Sequence, residues 1–259
     1  MNVHGFGLKG PRGWVFREVE FRAPGGSLVA VVGPSGSGRT CLLLALTGRM
    51  RASEGWAEVG GVRLPGRSAA ARRFCGLAQV PGVSDLDPSL TVAEHLRERA
   101  LLQRRFGGSV RALLRPPSER RSDARRRVDA ALEAAGLDPE GLPKGLRTPV
   151  RDLERLEALR LSVALALIGE PRLLAVDDAD LKLGPAERAQ LWALLRSLTD
   201  SGITVLAVCS EVPEDGGPLV LARTAAEAPP QLTASAAEFT PITESREEMP
   251  DACTEAGRA

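Results

Sequence analysis

Leu28-Val-Ala-Val-Val32, Gly33-Pro-Ser-Gly-Ser-Gly-Arg-Thr40 and Cys41-Leu-Leu-Leu-Ala-Leu46 follow one another without interruption. A β-branched apolar run, a glycine-rich turn and an apolar run of helix formers, in that order, read as the strand, loop and helix of a phosphate-binding P-loop. Gly33, Gly36 and Gly38, with Pro34, Ser35 and Ser37 between them, let the backbone wrap closely and aim N–H groups inward. The N-terminus of the following helix, at Cys41, adds positive potential. Thr40 offers a hydroxyl to Mg²⁺. Arg39 stands where such loops normally carry lysine, and two readings of it stay open. Lysine occurs only at Lys9, Lys144 and Lys182 in an arginine-rich chain, so Arg39 is drift in the same direction, or it is an altered phosphate contact.

Around this stretch the chain has 259 residues, enough for one large domain or two small ones. A formal net charge of +1 gives no overall nucleic-acid footprint, so no nucleic-acid partner is expected. Cys41, Cys75, Cys209 and Cys253 share no metal-binding spacing and no secretory leader precedes them, which predicts buried thiols in a reducing compartment. No apolar run approaches the ~20 residues that span a bilayer, so the expectation is a soluble protein whose membrane role needs a partner.

Upstream, Val15-Phe-Arg-Glu-Val-Glu-Phe21 reads as a strand and Pro24-Gly-Gly26 as a turn. Trp14, in a chain without tyrosine, is either core or a platform on which a base stacks, with core slightly favoured. Downstream, residues 54–64 read as a hairpin through Gly60-Gly61, and Phe74–Val80 as a strand with Gln79 near its tip. From Asp85 to about residue 150 a helical subdomain is predicted, broken once at Pro116-Pro117 and resuming at Asp123. Arginines accumulate there, among them Arg97, Arg99, Arg111, Arg115 and Arg125–Arg127. They read as a solvated face, or less readily as a contact for lipid headgroups or an acidic partner. Leu153–Ile168 reads as a helix, and Arg172-Leu-Leu-Ala-Val176 as a buried strand ending on Asp177 and Asp178. A helix at about Ala186–Leu198 and a strand over Ile203–Val208 follow. Apolar strands separated by helices argue for a parallel sheet covered on both faces. Residues 223–259 have few large apolar side chains and read as a disordered acidic tail after a folded domain of residues 1–222.

This order of motifs resembles the ATP-binding cassette (ABC) family over roughly residues 3–215. The P-loop, the hairpin to Gly61, Gln79, the stretch Leu86-Asp-Pro-Ser-Leu-Thr-Val-Ala-Glu94 and the segment Leu165–Ala179 fall in that family's order and spacing. The resemblance implies an α/β P-loop NTPase of the ABC type, with a mixed core sheet, N-terminal antiparallel β strands and a helical subdomain. It implies ATP and Mg²⁺ as ligands, held by residues 33–41, with Trp14 as the candidate base platform. Thr40, Gln79 and Asp177 would approach the metal, while Asp178 and Gln79 would act on the attacking water.

The second half departs from the family. Its signature, Leu-Ser-Gly-Gly-Gln, falls on Leu153-Glu-Arg-Leu-Glu157, where only the leucine survives. Glu154 and Glu157 would bring carboxylates toward a polyphosphate, which is unfavourable unless they are neutralised. The catalytic glutamate is replaced by the shorter Asp178, the switch histidine falls on Ser210, and the D-loop aspartate position lies near Gly184. The implied function is the ATP-binding subunit of a transport system, coupling ATP binding and weak hydrolysis to an integral membrane permease at the inner face of the membrane. It would form a homo- or heterodimer with another cassette. A non-hydrolysing regulatory module, or the inactive half of a heterodimeric ATPase, is the alternative that the departures favour. A P-loop kinase is disfavoured, because it explains neither Gln79 with Leu86–Glu94 nor the late acidic pair.

Overall fold

The computed structural model of the protein describes residues 1–106, 116–212 and 219–224. The chain opens with strands β1 (Asn2–Gly10) and β2 (Gly13–Arg22), followed by β3 (Leu28–Val32) and helix α1 (Arg39–Leu46). Next come β4 (Glu54–Val59), β5 (Val62–Leu64), α2 (Ser68–Arg72) and β6 (Cys75–Ala78). Helices α3 (Val92–Phe106), α4 (Pro117–Ala134) and α5 (Arg155–Leu167) precede β7 (Leu173–Val176). Then α6 (Pro185–Asp200), β8 (Thr204–Val208) and β9 (Val220–Arg223) complete the described chain.

The two strand orientations are divided between two sheets. One is antiparallel, in the order β2-β1-β4-β5; the other is parallel, in the order β6-β7-β8-β3-β9. Each strand of the parallel sheet is apolar on both faces because each face meets a different core. On β3, Leu28 and Ala30 face a core shared with helices α3 to α6. Val29 and Val31 face a second core with α1 and the antiparallel sheet. The alternation of side chains along an extended strand produces this division without further instruction. Parallel pairing puts the C-terminal ends of β3, β6, β7 and β8 at one edge, where the P-loop, Gln79, Asp177 and Cys209 emerge.

Several boundaries differ from the sequence reading. On β2 a bulge at Glu18, with φ 54°, breaks strict alternation, so Phe16 and Val19 are the buried residues. Helix α4 starts at Pro117, well before Asp123: Pro116 precedes it in extended conformation and Pro117 takes the first helical position, where a missing N–H costs nothing. Residues 150–152 form a separate 3-10 turn, so α5 begins only at Arg155. Strand β9 has no counterpart in the sequence reading. It straddles the expected boundary at residue 222, and Thr224 beyond it is buried. The rest of the expected tail, with Cys253, lies outside the described residues, as do Arg111 and Arg115.

The arginines of α4 are mostly paired on the surface: Arg125 with Asp129, Arg126 with Asp123, and Arg127 with Glu170 at 3.1 Å. Such exposed pairs contribute little stability individually. Arg99 is not a solvated residue, since its Nε donates to the Leu165 carbonyl of α5 at 3.0 Å. Among the described residues no helix is long and apolar enough to cross a membrane.

Candidate functional site

The loop between β3 and α1 is held in a shape that only glycine permits at two of its positions. A Cβ on Gly38 would lie 2.4 Å from the Val15 carbonyl oxygen, and one on Gly33 would lie 2.5 Å from Thr224 Oγ1. Gly36 and Gly38 both have φ 79°, while Pro34, Ser35 and Gly36 face solvent. Alternating left-handed residues ahead of a helix turn successive N–H groups to one side and form an anion-binding concavity. The first N–H groups of α1 have no partner within the helix. Among the described residues no side chain caps that end, and its first turn carries no acid. The residues present therefore fit a phosphate group.

Beside this loop, Thr40 Oγ1 donates to Asp177 Oδ2 at 2.7 Å, joining residues 137 positions apart in sequence. Asp177 ends β7 with only 1% of its surface exposed, and its Oδ1 accepts the Asp178 N–H at 3.0 Å. Burial pushes the Asp177 carboxyl above its ordinary range; the Thr40 hydrogen bond opposes this and the Asp178 charge adds to it. A buried carboxylate next to a hydroxyl at a phosphate loop suits Mg²⁺, which takes one or two protein oxygens together with phosphate oxygens.

The other expected site residues fall around this pair. Asp178 is half-buried and left-handed, with φ 45°. Gln79 also has φ 45°, and its carbonyl accepts the Asp177 N–H at 3.1 Å, while its own N–H donates to Ser162 Oγ of α5 at 2.7 Å. Arg39 is turned onto the end of β8, where Nη1 donates to the Cys209 carbonyl at 2.8 Å. Cys41 is half-buried; burial and then the Asp177 charge push its thiol up. Trp14 is half-buried rather than part of the core; it pairs with Lys9 near the turn end of β2, the edge strand of its sheet. Lys9 and Arg17 approach its ring at 5.7 and 5.9 Å. The ring also lies against Gly7 of β1, while the next residue, Val15, packs on Gly38 of the loop.

The segment in the signature position has a local role of its own. Glu154 stands at the N-cap of α5, and Glu157 Oε2, one turn on, accepts the Glu154 N–H at 2.8 Å. That bond holds the Glu157 carboxylate, and with it negative charge, at the helix N-terminus. The first turn of α1 carries no acid. Ser210 is exposed, and its backbone N–H donates to the buried Asp180 carboxylate at 2.9 Å, as does that of Glu211 at 3.3 Å.

Three participants escaped the sequence reading: Ser162, Asp180 and Thr224. Asp180 had a signal, being a third acid in Asp177-Asp-Ala-Asp180, whereas Ser162 and Thr224 had none.

The buried charge at Asp177 gives a prediction with two opposite signs. Its raised carboxyl pKa means that ionisation costs stability, so this group's contribution is most favourable at low pH and declines as pH rises through the carboxylate range. Asp177→Asn is expected to leave the melting temperature at pH 7, without nucleotide, within a few degrees of wild type or above it. The same change should abolish the added stabilisation by Mg²⁺ with ATP over ATP alone. Thermal melts with and without Mg²⁺ check both, and a Mg²⁺-dependent shift that persists in the variant would remove Asp177 from the metal site.

Comparison with known proteins adds an independent finding. A family model described as "ABC transporter" matches residues 16–180. The chain is 33% identical over 192 residues to Nod factor export ATP-binding protein I of Cupriavidus pinatubonensis, covering 74% of this chain and 53% of that protein. It is 29% identical over 192 residues to the protein of that name from Rhizobium etli, covering 74% and 54%. The chain thus spans about half the length of the curated relatives it matches. Among solved structures it is similar to cbiO1 from Clostridium perfringens, part of the ABC transporter complex cbiONQ, with TM-score 0.68 and 19% identity over 87% of this chain and 86% of that one. The dimeric bacterial ABC transporter cassette MJ0796 matches with TM-score 0.65 and 20% identity over 86% and 94%. At these identities the structures establish the fold.

Proposed function

Because the chain belongs to the ABC transporter family, we propose that it is the ATP-binding subunit of a transport system, coupling ATP binding and slow hydrolysis to a separate membrane subunit. The observation that carries this reading is the 2.7 Å bond between Thr40 and the buried Asp177 beside an uncapped phosphate loop. In it, the backbone of residues 33–40 and the N-terminus of α1 bind the phosphates, and Thr40 and Asp177 hold Mg²⁺. The ion, when bound, would neutralise phosphate charge. Gln79, whose backbone links β7 to α5, contacts the metal and the water, and Trp14 stacks the base. The partner is an integral membrane permease at the inner face of the membrane, docked near Gln79 and the helical subdomain over residues 79–130. The cassette pairs with a second cassette. The relatives' naming as Nod factor export proteins supports an outward-directed system.

Arg39 tests the binding half of this proposal. Its guanidinium stays charged and can grip phosphate in a forked geometry once it leaves the Cys209 carbonyl. Calorimetry is expected to show Mg²⁺-dependent ATP binding, weakened roughly tenfold or more by Arg39→Ala and retained by Arg39→Lys. No binding at millimolar ATP would defeat the proposal.

A second reading, a regulatory module or the inactive half of a heterodimer, has a specific observation behind it. The Glu154–Glu157 capping pair supplies carboxylates where the family places donors for the other subunit's phosphate. On this reading a complete partner cassette would supply the working site.

A further inference from the structure

We propose that Thr224 is a positioning residue of the phosphate loop, holding Gly33 and Ser37 in the shape that binds nucleotide. The proposal rests on the nucleotide reading above and adds to it a residue from the far end of the folded chain.

Strand β9 is the edge strand of the parallel sheet and pairs with β3. The pairing continues one step past the strand, where the Thr224 N–H donates to the Val32 carbonyl at 3.0 Å. This carries the threonine side chain to the base of the loop. Its Oγ1 lies 2.7 Å from Ser37 Oγ, across 187 positions of sequence, with either atom able to donate. Thr224 is 3% exposed and Ser37 0%, so water does not compete for the bond. The fit at Gly33 is equally close, since a Cβ there would lie 2.5 Å from Thr224 Oγ1 and 2.6 Å from the Thr224 carbonyl oxygen.

One residue therefore grips the loop at both ends of its exposed part, Pro34 to Gly36. A glycine-rich loop has wide conformational freedom, and ordering it costs binding energy. A buried hydroxyl pair that orders it beforehand removes that cost from the binding step. Removing one hydroxyl also leaves the other buried without a partner, which costs more than the bond itself contributes.

The test is a double-mutant cycle in the full chain, read by calorimetry with Mg²⁺ and ATP and by thermal melting. Thr224→Val keeps the shape and removes the hydroxyl, and is expected to weaken ATP binding about tenfold while the melting temperature moves by only a few degrees. Ser37→Ala should do the same from the other side, the double variant should bind no more weakly than the single ones, and Thr224→Ser should bind as wild type. A Thr224→Val protein that binds as tightly as wild type would overturn the proposal, as would a double variant whose loss is the product of the two. If Thr224→Val fails to fold, Ser37→Ala against wild type and Thr224→Ser decides the same bond. Failure of the wild-type chain to bind ATP would defeat the nucleotide reading instead. Backbone amide exchange at residues 33–38 then tests the brace alone, with faster exchange in Thr224→Val than in Thr224→Ser expected and equal rates overturning it.

Discussion

ATP turnover by the isolated chain is expected to be slow, far below about one per second, while ATP binding is intact. The features that bind phosphate are all in place: the glycine loop, the open N-terminus of α1 and the Thr40–Asp177 pair. The features that would accelerate hydrolysis are altered. Asp178 is one methylene shorter than glutamate, and a displacement of ~1 Å from the productive geometry can cost about a hundredfold. On the proposed reading Ser210 would stand where the family carries its γ-phosphate-sensing histidine, and its backbone is bound to Asp180. Glu154 and Glu157 already occupy the N-terminus of α5. If each such loss removes ~2–3 kcal/mol of transition-state stabilisation, two or three of them suppress the rate by several orders of magnitude. Asp178→Glu alone is therefore expected to change single-turnover hydrolysis by less than about tenfold, because lengthening one side chain does not free the end of α5. A rise of a hundredfold or more would show that side-chain length was the main defect. Wild-type turnover near one per second without a partner would defeat the prediction altogether.

Gly38→Ala should produce the largest loss of nucleotide affinity of any single methyl group added to the loop. Gly38 has φ 79°, which costs an alanine about 1–2 kcal/mol by itself. The new Cβ would also lie 2.4 Å from the Val15 carbonyl oxygen and 2.9 Å from Val15 Cγ1, and the first of these is backbone within strand β2. The loop must move to relieve that contact, and with it the first N–H groups of α1. Together these terms predict a loss of roughly a hundredfold or more in ATP affinity. Gly36→Ala is the internal control. Gly36 has the same φ of 79° but nothing within 4 Å of its Cβ position, so it should lose only about tenfold. Calorimetry on the two variants checks the order, and a Gly38→Ala protein that binds within about threefold of wild type would show that the loop is more compliant than its contacts imply.

The departures from an ordinary hydrolytic cassette were visible residue by residue in Leu153–Glu157, Asp178 and Ser210, yet their consequences were not. Glu154 and Glu157 read as charges facing a polyphosphate, and the structure adds that Glu157, three residues on, accepts the Glu154 N–H at the start of α5. Arg39 read either as drift or as an altered phosphate contact; what the fold adds is an acceptor within reach of its long side chain, the Cys209 carbonyl. For Trp14 the local pattern left core and platform open. Its place on the edge strand β2 decided on half-burial, with the ring by Gly7 and Lys9 of β1.

What the sequence determined by itself was what neighbours along the chain can determine. The run Leu28–Val32, the glycines to Gly38 and the apolar residues to Leu46 specify strand, loop and helix because their hydrogen bonds and backbone conformations close within a few residues. The apolar runs at 173–176 and 204–208 likewise announced strands buried on both faces. Only the tertiary structure decided that Thr40 meets Asp177 and that Ser37 meets Thr224, contacts spanning 137 and 187 positions. Such pairs carry no local signal. They arise because the parallel sheet brings the ends of β3, β7 and β9 to one edge, and because polar groups shielded from water there take one another as partners.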